Sequence, residues 1–204
     1  MQTLQDFQTL ALADVRSPDF SERLRRLFDH FALAEAREII QLTNRLRGGR
    51  DAVIEKGAVG AAVVAATMHH YFGQYDGRGF FDFQYQYWGA HGIDEKYPMR
   101  TMDIVFILPV GPKRSITFQV EAKNYARMTL SSLTSGNVYR QVTKDFRYLN
   151  PVIRKDAPLI PVWWFLQGLA SDARHFLEVQ DFRVVDFTQE PFRPELFRAF
   201  RTGP

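Results

Sequence analysis

Cysteine is absent from all 204 residues. That excludes disulfides, zinc held by thiolates and a cysteine nucleophile. Long hydrophobic runs are missing as well. The longest, Gly57 to Met68, has twelve residues, whereas a membrane span takes about 20, so no membrane partner is expected. Met1-Gln2-Thr3-Leu4-Gln5-Asp6 has no basic region leading into an apolar core, and a signal peptide is not expected. Gly57-Ala58-Val59-Gly60-Ala61-Ala62 is Gly-Ala-rich, yet no Gly-Lys-Ser/Thr follows it, which rules out a phosphate loop. There is no internal repeat and no low-complexity stretch.

What the chain does have is an ordinary globular balance, 46% hydrophobic and 24% charged, which argues against disorder. Eighteen Phe, eight Tyr and three Trp supply a core. Six of the Phe follow residue 175, so the C-terminal end is expected to pack. The net charge of +3 is too mild to name a partner. Its placement says more: from Arg100 to Asn150 eight basic residues stand against three acidic ones. Excess positive charge around a few carboxylates suits a phosphodiester substrate, and it equally describes a solvated basic surface.

Ser17-Pro18-Asp19 signals a helix start, followed by Leu24, Leu27, Phe28 and Phe31 at helical spacing. A second helix is predicted from about Ala32 to Arg47, stopped by Gly48-Gly49. Residues 1–48 thus read as a helical appendage and 49–204 as the main domain. A helix over Asp51 to Phe72 follows, its small residues suited to close packing. Then the period changes. Phe80 to Trp88 reads as extended, and Thr101 to Val110 with Ser115 to Ala122 as a hairpin about Gly111-Pro112-Lys113-Arg114. Val138 to Leu149 is a helix with Val138, Val142 and Phe146 on its apolar face, ended by Asn150-Pro151. Ile160 to Gln167 is a strand, Ser171 caps a helix to about Gln180, and Phe182 to Phe187 is a last strand. The expected class is α/β, a mixed central β-sheet flanked by helices.

The chemistry concentrates in the hairpin. Alternation puts Thr117, Gln119, Glu121 and Lys123 on one face, and Ile116, Phe118, Val120 and Ala122 on the other. With the turn centred near Pro112, Asp103 falls opposite Glu121 on the same face. Facing residues have Cβ atoms about 4.5–5.5 Å apart. Two carboxylates that close repel unless a cation lies between them, and hard divalent ions take oxygen ligands of this kind.

Asp103 with Glu121-Ala122-Lys123 resembles the motif of the PD-(D/E)xK nuclease superfamily, the restriction-endonuclease-like fold. The likeness extends over Asp51 to Phe187 in element order but over only these residues in identity. The residue before the family's Asp is usually Pro; here it is Met102. The resemblance implies a restriction-endonuclease-like core and metal-assisted phosphodiester hydrolysis. Mg²⁺, or Mn²⁺ in its place, would be held by Asp103, Glu121, the Ala122 carbonyl and Glu55 on the preceding helix. Lys123 would orient the attacking water or steady the developing charge, Gln141 would join the catalytic set, and Arg140 and Lys144 would touch the phosphate backbone. Val120-Glu121-Ala122-Lys123, Gln141 and Val162-Trp163-Trp164-Phe165 are closest in pattern to the nuclease-fold toxin domains of bacterial competition systems. The implied partners are nucleic acid, DNA ahead of RNA, and an immunity protein for a toxin; a homodimer stays open. The implied location is the cytoplasm, the protein's own or that of a target cell. A stand-alone repair or phage-defence nuclease and an inactive nuclease-fold binding module are the alternatives.

Blander readings stand beside these. Glu-x-Lys at a strand end is commonly an ion pair, Glu55 suits a helix start, and Gln141 with Lys144 suits a solvated helix face. Asp94 rivals Asp103 as the metal carboxylate. His69-His70 fits a partly exposed helix end, and Trp163-Trp164, which could stack bases, fits the core.

Overall fold

The structure, a computed structural model, describes residues 5–6, 9, 26, 33–43, 50–68, 70, 80–83, 86–88, 99–101, 103–111, 114–153 and 159–189. The expected helix over residues 17–31 apart from Arg26, the Gly48-Gly49 stop, His69, Asp94 and the phenylalanines after 189 lie outside them. Glu55 is described as helical backbone, and its side chain lies outside the described set.

Two helices come first, α1 (Leu33–Thr43) and α2 (Arg50–Met68). The strands β1 (Phe80–Phe83), β2 (Gln86–Trp88), β3 (Met99–Thr101), β4 (Ile104–Gly111) and β5 (Arg114–Lys123) follow. The chain ends its described part with α3 (Leu130–Ser135), α4 (Val138–Ile153), β6 (Leu159–Phe165), α5 (Ser171–Val179) and β7 (Arg183–Asp186). Five strands form one sheet in the order β1-β4-β5-β6-β7, and β2 pairs with β3 in a separate ladder. β1, β4 and β5 are antiparallel neighbours, whereas β5, β6 and β7 run parallel. Parallel neighbours need long crossovers, and α3 with α4, then α5, provide them. The fold is a mixed α/β one.

The hairpin register is the one a turn at Pro112 predicts: Ile104 pairs with Val120 and Pro109 with Ser115, with a shift between Pro109 and Gly111. Four details differ from expectation. The run from Thr101 to Val110 is divided, β3 ending at Thr101 beside β2 and β4 starting at Ile104, with Asp103 in a bend between them. A side-chain acceptor that takes a backbone N–H competes with the ladder, and Asp103 does so. Phe80 to Trp88 is likewise two strands in two ladders. α4 continues past Pro151 to Ile153, because a proline in a last turn forfeits one N–H bond without forbidding helical dihedrals. α5 starts after Ala170 with no side-chain cap, and Ser171 is its first helical residue. The Ala170 N–H donates instead to the Met128 carbonyl, so tertiary pairing sets that helix start.

The sheet is covered on both faces. Ala36, Ile39 and Ile40 of α1 and Val59 to Met68 of α2 pack with Ile104, Phe118, Val120, Val162 and Trp164. On the other face Leu133, Val142, Phe146 and Leu177 pack with Trp163, Phe165 and Val184. Successive strand residues face opposite ways, so Trp163 and Trp164 are both wholly buried, one in each cluster, as core residues. Gly60 permits the closest approach: a Cβ there would lie 2.8 Å from Asn124 Cβ and 2.9 Å from Leu166 Cδ1. The α2 backbone therefore rests directly against the end of β5.

Candidate active site

In open sheets with parallel strands, ligands bind outside the carboxyl ends of the strands. Here those ends are Lys123 of β5, Phe165 of β6 and Asp186 of β7. On the odd-numbered face of β5, Thr117 and Gln119 are buried, and the face opens at Glu121 and Lys123, each 12% exposed. Lys123 Nζ donates to Glu121 Oε1 at 2.5 Å. Same-face positions two apart on a strand make that contact natural.

Asp103 reaches the same strand end from the bend before β4. Its Oδ2 accepts from the Ala122 backbone N–H at 2.8 Å. Within a strand a residue's N–H and C=O point to the same side, so the Ala122 carbonyl also faces the Asp103 side. Burial pushes the Asp103 carboxyl above the ordinary carboxylate range, an effect that the Lys123 charge and the Ala122 N–H only partly offset. Burial pulls Lys123 down, but the carboxylates of Glu121 and Asp103 outweigh it and leave the ammonium above its usual pKa. Lys123 is therefore a cation paired with Glu121 and attracted by Asp103, and the trio carries more negative than positive charge when ionised.

These donors fit a hard divalent ion in part. Two carboxylates and one backbone carbonyl are oxygen ligands of the right kind, with water and phosphate oxygens usual for the rest. Among the described residues no group of three or more His, Asp or Glu gathers to hold a metal. Asp186, the other carboxylate at this end of the sheet, is committed elsewhere. It accepts from the Leu169 and Thr188 N–H groups, from Thr188 Oγ1 and from Gln189 Nε2, and so ties the loops after β6 and β7 together.

Of the remaining expected residues, Arg140 and Gln141 stand exposed in the first turns of α4 and Lys144 is half-buried there. The hydrogen bonds that assemble Asp103, Glu121 and Lys123 do not include Arg140 or Gln141. His70 is half-buried beyond the end of α2. The sequence reading missed Asn124, which is 4% exposed. Its Nδ2 donates to Thr43 Oγ1 at 3.1 Å and to the Lys56 carbonyl at 3.0 Å, and its Oδ1 accepts from Gln167 Nε2 at 2.7 Å. One side chain thus joins α1, α2, the end of β5 and the exit of β6. It also brings the helical turn of Glu55 and Lys56 beside that strand end. The available signal was a polar residue directly following an apolar strand; its partners, 81, 68 and 43 positions away, have no local spacing.

Compared with family models, curated proteins and solved structures, the chain matches none.

Proposed function

We propose that the chain is a metal-dependent nuclease with a restriction-endonuclease-like PD-(D/E)xK core and an N-terminal helical appendage. The observation that supports it best is the meeting of Asp103, fixed on the Ala122 N–H, with the Glu121–Lys123 pair at one strand end. Asp103, Glu121 and the Ala122 carbonyl would hold Mg²⁺, with Glu55 of the preceding helix as a further ligand. The ion, when bound, supplies an acidified water and offsets charge on the phosphate. Lys123, held protonated by its two carboxylates, donates to the oxygen on which negative charge grows. Gln141, Arg140 and Lys144 meet the polynucleotide backbone, DNA ahead of RNA. A role as an antagonism toxin with an immunity partner ranks before a stand-alone repair or defence role.

The close Glu121–Lys123 contact favours a second reading, a nuclease-like module that binds without cutting, since the same pair can serve only to neutralise a strand end. Purified protein incubated with plasmid and with total RNA, in Mg²⁺, Mn²⁺ or EDTA, separates the two. Metal-dependent cleavage that falls on the order of 10²–10³-fold in Lys123→Ala, and also disappears in Glu121→Ala, is the expected result. Binding of either polymer without cleavage under any metal would sink the nuclease and leave the binding module.

A further inference from the structure

The loop that leaves β5 is fixed at both ends yet presents two side chains outward. Asn124 is held by the bonds described above. Four residues on, the Met128 N–H donates to the Gly168 carbonyl at 3.0 Å, and the Met128 carbonyl accepts from the Ala170 N–H at 2.8 Å. The Lys123 carbonyl accepts from the Leu166 N–H as well. Between these anchors Tyr125, Ala126 and Arg127 are exposed.

Tyr125 is 48% exposed, and Val179 is the one other large hydrophobic side chain so exposed among the described residues. Tyr125 is two positions after Lys123. Arg127 Cγ lies 3.7 Å from where a Gly168 Cβ would be, so its stem lies on the anchored loop after β6. Gly168 has φ +97°, a conformation that favours glycine, and an added side chain would also press on Thr188 Oγ1 at 3.2 Å. Among the described residues no carboxylate pairs with Arg127.

A lone exposed tyrosine needs no explanation. An exposed ring and a guanidinium with no carboxylate partner among the described residues, on a loop whose backbone is anchored on both sides directly after the candidate catalytic lysine, are a different matter: the ordering cost of the loop backbone is met before anything binds. We infer that Tyr125 and Arg127 form a nucleotide subsite, in which an unstacked base lies on the Tyr125 ring and Arg127 meets the adjoining phosphate. The substrate class that follows is single-stranded or locally unpaired nucleic acid, because a base inside a duplex has both faces covered. This rests on the nuclease reading for its catalysis, but not for its binding.

The test uses the full chain, its Tyr125→Phe, Tyr125→Ala and Arg127→Ala variants, and labelled oligonucleotides. The probes are single-stranded DNA, single-stranded RNA, the DNA duplex, and a single strand with abasic positions. Affinity is read by anisotropy in EDTA and cleavage in Mg²⁺, with thermal denaturation to verify folding. Tyr125→Ala is expected to weaken single-strand binding about tenfold, and to leave the duplex and abasic probes unchanged. Tyr125→Phe is expected to behave as wild type. Arg127→Ala is expected to flatten the salt dependence by about one counterion. The DNA and RNA arms name the sugar. Cleavage that persists in every variant with unaltered single-strand affinity overturns the subsite and leaves the nuclease standing. Tyr125-dependent binding without cleavage keeps the subsite and removes the nuclease.

Discussion

Gly57 and Gly60 lie one helical turn apart in α2, and the same substitution is expected to move stability in opposite directions. In a helix interior alanine is favoured over glycine by about 0.8–1 kcal/mol. At Gly57, which is exposed, an added Cβ meets nothing within 4 Å. Gly57→Ala therefore gains that amount, a rise in Tm of about 2–4 °C for a chain of this size. At Gly60 the Cβ would sit 2.8 Å from Asn124 Cβ and 2.9 Å from Leu166 Cδ1. Asn124 has little freedom to move, being bonded to Thr43, Lys56 and Gln167, and Leu166 is itself buried. Overpacking of this kind costs about 1–3 kcal/mol. With the fixed Asn124 the upper end applies, and the net loss after the helix gain is about 2 kcal/mol, a fall in Tm of about 4–8 °C. Thermal denaturation of the two single variants and the double variant reads this directly. Because Asn124 follows Lys123, Gly60→Ala should also lower any metal-dependent activity, while Gly57→Ala should not. Stabilisation by Gly60→Ala equal to that by Gly57→Ala would refute the close contact between α2 and the end of β5.

Two further predictions concern the site and its neighbouring helices. A carboxyl raised in the folded state, as Asp103 is, contributes stability that is full below its unfolded pKa and is lost as pH rises through the folded value. Asp103→Asn keeps an acceptor for the Ala122 N–H and removes a partly buried charge. In EDTA it should melt above the wild type at pH 7, with the gap closing as the pH falls to that of the unfolded carboxyl, and it should lose the stabilisation by Mg²⁺; a variant less stable than wild type at pH 7 contradicts this. Thr129 forms a reciprocal capping box with Ser132 at the start of α3, so Thr129→Ala should cost about 1 kcal/mol in denaturant unfolding. Ser171→Ala should stay within about 0.5 kcal/mol, since no hydroxyl caps α5; equal losses at both positions would count against that distinction.

The sequence by itself determined what depends on neighbours along the chain. Alternation divided β5 into an apolar face and a Thr117–Gln119–Glu121–Lys123 face, and the turn signal centred near residue 112 predicted the β4–β5 register that is found. The same local rules placed α1, α2 and α4, because helical periodicity is a property of a few turns. They could not foresee α3, whose capping box uses Ser132 where a Glu or Gln is the usual signal. Nor could they foresee the break at Asp103, whose partner is the backbone of a residue 19 positions on. The order of β5, β6 and β7, the covering of both sheet faces that buries Trp163 and Trp164 alike, and the joining of four elements by Asn124 came only with tertiary structure. These depend on contacts between distant segments, and a local pattern carries no record of which segment will supply the other half of a buried hydrogen bond.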